Sequence, residues 1–457
     1  MRSSLTERDS RSERVPPRIW SVALLWGEIP FVALVLFGEL LAFVQYALGD
    51  LSISPLKVLR VGGLYFYAFN HVRIEAEATR SGINGAFFSL AIAMLTVTAA
   101  AIYLLFRGGT EVGGRLAARP SIRALAGASV ALPYAALSLM ASYAVPVTFK
   151  LPADLEGGLL RVSVSHLQAG VWPLLIGAAA GAAGGLWSAR DEFDPSGWGG
   201  RVVSALAGGW RMLLYALAAS FVSLLVLGAA NPSAVREYLD ETTGRGLGGT
   251  DLLVHHVLAL PNQSMWVLVP AMGACDRSSG AAGQRRSEAF LCYSRFPRHG
   301  ALLPTLGREL GRGQPITAPS GTIVFTTAPL PYLLFLLVPL TASVAGGSAA
   351  ARRGRPESRG EAATEGALAG VVFAALVAAL SVLAGVDVHV AGGGTLTVGP
   401  DPVGAGLLAL AWGVAGGAAG GALEFSGPAP RRTEVADGGF TEPGEERAAN
   451  DVPTGPA

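Results

Sequence analysis

Charge is what this chain has least of: 15% of its 457 residues are Asp, Glu, Lys or Arg, against 51% hydrophobic. A soluble globular domain carries about 25% charge, so an ordinary water-soluble enzyme is excluded. Net charge is +1, from 34 basic and 33 acidic residues, which leaves neither a basic field for nucleic acid nor an acidic tail for solvation. Lysine is almost absent, with Lys57 and Lys150 the only two. Cysteine is equally scarce, and Cys275 and Cys292 exclude a disulfide framework or a four-cysteine zinc site. If both lie outside the cell they could pair and close a modest loop. No Walker loop, GxSxG elbow, HExxH or dinucleotide fingerprint is present, so no catalytic residue, cofactor or metal is assigned.

Long apolar runs are what the chain does have. A membrane crossing needs about 20 mostly apolar residues, and eight runs qualify: 20–48, 83–106, 122–146, 165–188, 204–230, 321–347, 364–385 and 402–424. Stretches 55–77 and 251–273 are apolar but interrupted. Residues 1–18 mix five arginines with Glu7, Asp9 and Glu13 and lack an apolar core, so the first run reads as an uncleaved anchor.

The chain also matches itself. Residues 160–188 lie over 396–424 with 12 identities in 29 positions, and 125–145 lie over 368–388, in the same order, with 10 in 21. Alanine and glycine bias inflates both counts, yet two collinear blocks point to a duplication. Between the paired helices, residues alternate apolar and polar around Gly157-Gly158 and Gly392-Gly393-Gly394, which predicts a short β-hairpin in each copy.

Basic residues in short loops mark the cytoplasmic side. Arg107, Arg115 and Arg119 precede the third run; Arg352, Arg353, Arg355 and Arg359 precede the seventh; Arg431, Arg432 and Arg447 lie in the tail. Both copies then face the same way, which requires an even number of crossings in each. Four crossings satisfy this if 55–77 and 251–273 enter and return. Segment 274–320, with seven arginines, then lies outside.

The expected fold is thus an all-α polytopic integral membrane protein of two tandem four-helix repeats, with small extracytoplasmic β-hairpins and interrupted half-membrane segments. The first repeat is 19–190 and the second is 204–425 with its polar insertion at 274–320. A cytoplasmic linker at 191–203 joins them. Tails 1–18 and 426–457 are expected to be disordered and cytoplasmic, and the compartment is the cell membrane, with the lipid bilayer as the one partner assigned.

Site candidates follow from what is costly in lipid. Glu28 and Glu39, 11 residues apart, share a helix face, and a carboxylate at bilayer depth marks an interior or a wet cavity unless it sits at an interface or bonds a neighbouring helix. Asn70-His71 and His255-His256 with Asn262 sit in the interrupted stretches, where unwound backbone could line a path for an ion or small solute, or where amphipathic segments could simply rest on the interface. Asn70 aligns by eye with Asn262. Metal ligation by the histidines is disfavoured because adjacent residues on a helix point about 100° apart. Gly177, Gly181 and Gly185 match Gly413, Gly417 and Gly421 as helix-packing rows. These features favour a permease or channel for a small solute, with a non-transporting scaffold or regulator of an envelope complex as the alternative. No enzyme is expected.

Overall fold

A computed structural model describes residues 17–47, 53–80, 83–91, 93–116, 118–151, 158–193, 197–230, 232–233, 236, 256–282, 285–292, 315–318, 321–327, 334–390 and 394–425. Both terminal tails, His255, and most of the polar insertion lie outside these residues.

The molecule is mostly helical. In chain order the helices are α1 (Pro17–Ala47), α2 (Pro55–Phe69), α3 (Leu95–Gly114), α4 (Pro120–Ala128), α5 (Ala131–Ser142), α6 (His166–Ser188), α7 (Trp198–Ala230), α8 (Leu260–Ala271), α9 (Leu337–Gly354), α10 (Arg359–Ala384) and α11 (Pro402–Glu424). Seven helical runs are long and apolar enough to cross a membrane: α1, α4 with α5, α6, α7, α9, α10 and α11. The chain is a multi-span membrane protein. Its outward faces carry large apolar side chains such as Phe43, Leu167 and Leu407, exposed at 59%, 77% and 64%. Water would penalise that surface and lipid would not. Helix α3, 20 residues long, is interrupted by Arg107 and Glu111 and is not among the seven, yet its second half packs closely on α6, Gly109 against Gly181 and Gly113 against Gly185.

The strands are β1 (Ile74–Arg80), β2 (Ile83–Ala91), β3 (Val147–Leu151), β4 (Gly158–Val164), β5 (Cys275–Ala282), β6 (Arg285–Cys292), β7 (Pro315–Ala318), β8 (Gly321–Thr327), β9 (Val386–Val390) and β10 (Gly394–Pro400). They do not form separate two-stranded flaps. All ten join one sheet in the order β3-β4-β1-β2-β9-β10-β5-β6-β8-β7. A lone hairpin is marginal in water, whereas pairing with further strands satisfies its edges.

Two expected crossings are corrected. Residues 83–91 are strand β2 and 321–327 are strand β8, so the runs read as 83–106 and 321–347 each begin in the sheet. Each strand carries a short apolar core, Ala86-Phe87-Phe88 or Ile323-Val324-Phe325, close before a longer apolar run, and periodicity alone does not separate so short a strand from the start of a buried helix.

The two halves run through similar elements, a long helix, a short helix, a hairpin, further helices, a second hairpin and a last helix, although α4 and α5 of the first stand where the second has the single helix α10, and β7 and β8 occur only in the second. Equivalent backbone bonds accompany them. Ser165 N donates to Arg73 O at 3.0 Å, and Asp401 N donates to Cys275 O at 3.2 Å, tying the start of α6 and of α11 to the strand that follows the short helix. Glycine contacts recur as well: Gly177 meets Ala131, Gly181 meets Gly127 and Gly185 meets Arg123, while Gly413 meets Gly370, Gly417 meets Gly366 and Gly421 meets Ala362. The partner residues stand 239 apart in each pair. The alignment of 125–145 with 368–388 is therefore out by four residues, one helical turn, an error that Ala/Leu-rich helices conceal because each turn resembles the next.

Candidate functional site

The short helices sit where the two repeats meet the sheet. Helix α2 is 15 residues and α8 is 12, about 22 and 18 Å long. Each begins and ends towards the sheet. At the start of α2, Lys57 Nζ lies 5.6 Å from the Phe149 ring of β3, and Arg60 Nη1 donates to Pro146 O at 3.0 Å. At its end the chain turns at Asn70-His71 and returns to β1, with Arg73 N donating to Gln168 Oε1 at 2.9 Å. Between those points Phe66 packs edge-on to Phe31 of α1, centroids 5.1 Å apart.

Helix α8 repeats this turn with different residues. Val72 N donates to Tyr67 O at 3.0 Å, as Ala274 N does to Val269 O at 3.2 Å. His71 has φ 57° and Gly273 has φ 94°. Asn70 therefore corresponds to Met272, and the alignment of Asn70 with Asn262 is corrected: one lies at the C-terminal end of its helix, the other near the N-terminal end. Two asparagines in apolar surroundings draw the eye into register; the turn geometry decides it.

Each asparagine is fully buried or nearly so, and each has both its amide oxygen and its amide nitrogen hydrogen-bonded. Tyr134 Oη donates to Asn70 Oδ1 at 2.6 Å, and Asn70 Nδ2 donates to Phe66 O at 2.9 Å. Around them Tyr67 Oη donates to Ser138 O at 2.6 Å, and Ser138 Oγ donates to Ala169 O at 2.7 Å. This network pins α2 to α5 and α6, and a satisfied buried network rigidifies its surroundings. Asn262 brackets the start of α3 in the other repeat: its Nδ2 donates to Ala93 O at 2.7 Å, and its Oδ1 accepts from Leu95 N at 3.0 Å. A buried side chain is thus spent on joining repeats.

His71 is 6% exposed, and its ring meets Trp172 edge-on at 5.1 Å. Its Nδ1 has no hydrogen-bond partner among the described residues. Burial lowers its pKa below the usual 6.5, against the opposing field of Asp387 from the second repeat. His256 bonds to Gln263 of α8. Glu39 lies over Gly62, whose missing side chain leaves room for the carboxylate, and its Oε2 has no partner among the described residues. Glu28 is exposed on the outer surface of α1. Six of the seven candidates lie among the described residues: Asn70 and His71 adjoin at the end of α2, Asn262 and His256 lie about the start of α8, Glu39 faces Gly62, and Glu28 faces outward. Among the described residues no three His, Cys, Asp or Glu side chains cluster as metal ligands.

Sequence reasoning missed the residues that tie the repeats. Strands β2 and β9 pair antiparallel from Phe88↔Val390 to Ala91↔Asp387. At the opposite end of the helices, Trp187 of the first repeat is flanked by Arg190 at 5.3 Å and by Arg353 of the second at 5.0 Å. The alternation Ile74-Glu75-Ala76-Glu77-Ala78 did advertise β1. Nothing local could announce that β2 would choose β9. Cys275, beside this sheet, is disulfide-bonded, and the chain's other cysteine, Cys292, is its register partner across β5 and β6.

No family model, curated protein or solved structure matches the chain.

Proposed function

We propose that the chain is a non-catalytic scaffold of the cell membrane that holds a ten-stranded platform on the extracytoplasmic side for an envelope complex. The observation that carries this reading is the continuous sheet. A transporter built of two repeats works by rocking one against the other, and here the β2–β9 ladder and the Asn262 bracket fasten them at one end while Arg353 stacks on Trp187 at the other. Both termini then lie in the cytoplasm: the arginine-rich turns at 115–119 and 352–359 sit at the end away from the sheet, which suits the retained side. A disulfide at the sheet end suits an oxidising compartment.

A permease remains the second reading, favoured by one observation: Glu39 and His71 keep buried polar atoms unpartnered beside the half-crossing α2, and such atoms line solute paths.

Two spin labels decide between them. With Ser121→Cys and Arg359→Cys labelled at the arginine-rich end of each repeat, the scaffold reading expects one narrow distance distribution in proteoliposomes, unchanged by a Ser89→Cys/His389→Cys lock across β2 and β9. Two interconverting distances that collapse to one on locking would overturn it in favour of the permease.

A further inference from the structure

We propose that the chain associates with a second copy of itself through α1 of one molecule and α7 of the other, with Glu28 of the first paired to Arg211 of the second. Both residues are exposed on helices whose neighbouring surface is otherwise apolar: Leu24, Leu25 and Val32 flank Glu28, exposed at 51%, 55% and 49%, and Leu214 and Tyr215 flank Arg211 at 44% and 49%. Among the described residues neither charge has an ion-pair partner.

Their depths match. Gly27, next to Glu28, packs on Val130 and Pro133, near the middle of the run formed by α4 and α5; Gly209, two residues before Arg211, packs on Val372, near the middle of α10. Helices α1 and α7 open their respective repeats, so opposite charges stand at equivalent levels on the two outer surfaces. Charge facing hydrocarbon is expensive, and such residues face protein, water or each other. Within one molecule other bases do not serve Glu28. Arg107 of α3 is exposed at a similar level, but Trp26 of α1 faces α3 at Gly108, and Glu28 stands about 200° further round the helix. Arg211 and Glu28 are likewise on separate helices with no α1–α7 packing between them. A second copy supplies the complementary charge at the right depth, and the rows of leucine beside each charge supply the contact surface.

This rests only on the membrane placement, not on the scaffold reading, and its test does not involve motion between repeats. Full-length chain is reconstituted in phosphatidylcholine vesicles at a series of protein-to-lipid ratios, and association is counted by single-molecule photobleaching. Native protein is expected to associate, Glu28→Gln and Arg211→Gln each to weaken association at least tenfold, and the exchange Glu28→Arg with Arg211→Glu to recover it to within threefold. Co-reconstituted Val32→Cys and Tyr215→Cys chains, each substituted one turn beyond its charge, are expected to cross-link to each other on oxidation, and not each to itself. A native chain that stays monomeric at every ratio, single variants that associate as tightly as native, or absence of the mixed cross-link would each overturn the proposal. Melting of every variant in detergent shows whether loss of association reflects loss of fold.

Discussion

The two halves of the molecule have matching turns and helix contacts and fill them with different chemistry. Where the first has Tyr134 bonded to Asn70, the second has Phe373 and Met272 at the equivalent places, both fully or almost fully buried. The first repeat's core gathers Phe66, Tyr67, Phe69 and Tyr134, whereas the second gathers Met212, Met265, Met272 and Phe373. A hydrogen-bonded core allows one arrangement of α2 against α5. A methionine-filled core packs irregular gaps and tolerates adjustment. The shared glycine rows show what the helix contacts require, and the differing cores show what they leave open.

Substitution in those rows has the largest expected effect. A methyl group at Gly181 would collide with the Gly127 carbonyl, and one at Gly417 with the Gly366 carbonyl. Gly181→Leu and Gly417→Leu should each cost at least about 3 kcal/mol, the upper end for overpacking, read as loss of a cooperative melt in detergent. A silent result in one repeat alone would break the equivalence.

Next comes the network. Tyr134→Phe strands Asn70 Oδ1 in an apolar interior and should destabilise by about 1–3 kcal/mol. Adding Asn70→Met rebuilds the second repeat's pair and should recover most of that loss in the same melt. A double variant no better than the single would show that the cores are not interchangeable.

The effect of pH should be opposite at two groups beside the sheet. His71 is held below its usual 6.5 by burial, so the unfolded chain takes up protons first as pH falls; the stability of neutral His71 is intact above 6.5 and is lost on acidification below it. His71→Gln should flatten that part of the Tm–pH curve. Burial raises the Asp276 carboxyl well above its usual 3.8, so its neutral form stabilises the fold most below 3.8 and that contribution fades as pH rises. Asp276→Asn should accordingly raise Tm at pH 7.

The smallest effect tests the turn. Gly273 has φ 94° and open space around the position of a Cβ, so Gly273→Asn should cost about 1 kcal/mol or less, because asparagine tolerates the left-handed region. Gly273→Val should cost more, since a β-branched residue does not. Equal melts for the two would show that the turn relaxes in the second repeat.

Much of this was legible in the residues. Lipid as solvent follows from apolar runs that no aqueous surface could carry, and the paired glycine rows stand out at a constant spacing across α6 and α11. The register of 125–145 on 368–388 was not legible, because in an alanine-rich helix a shift of one turn preserves the pattern. Nor was β2, whose apolar residues run on into the start of α3.

The sequence by itself determined that the chain is built of helices apolar and long enough to cross a membrane, because that depends on residues within a turn or two of one another. Only the tertiary structure decided that strands from both repeats join one sheet, that Asn262 binds the start of α3 while Asn70 binds Tyr134, and that Glu28 faces outward. Those outcomes depend on partners 64 to 169 residues away, and a polar side chain carries no local mark of which distant group will satisfy it.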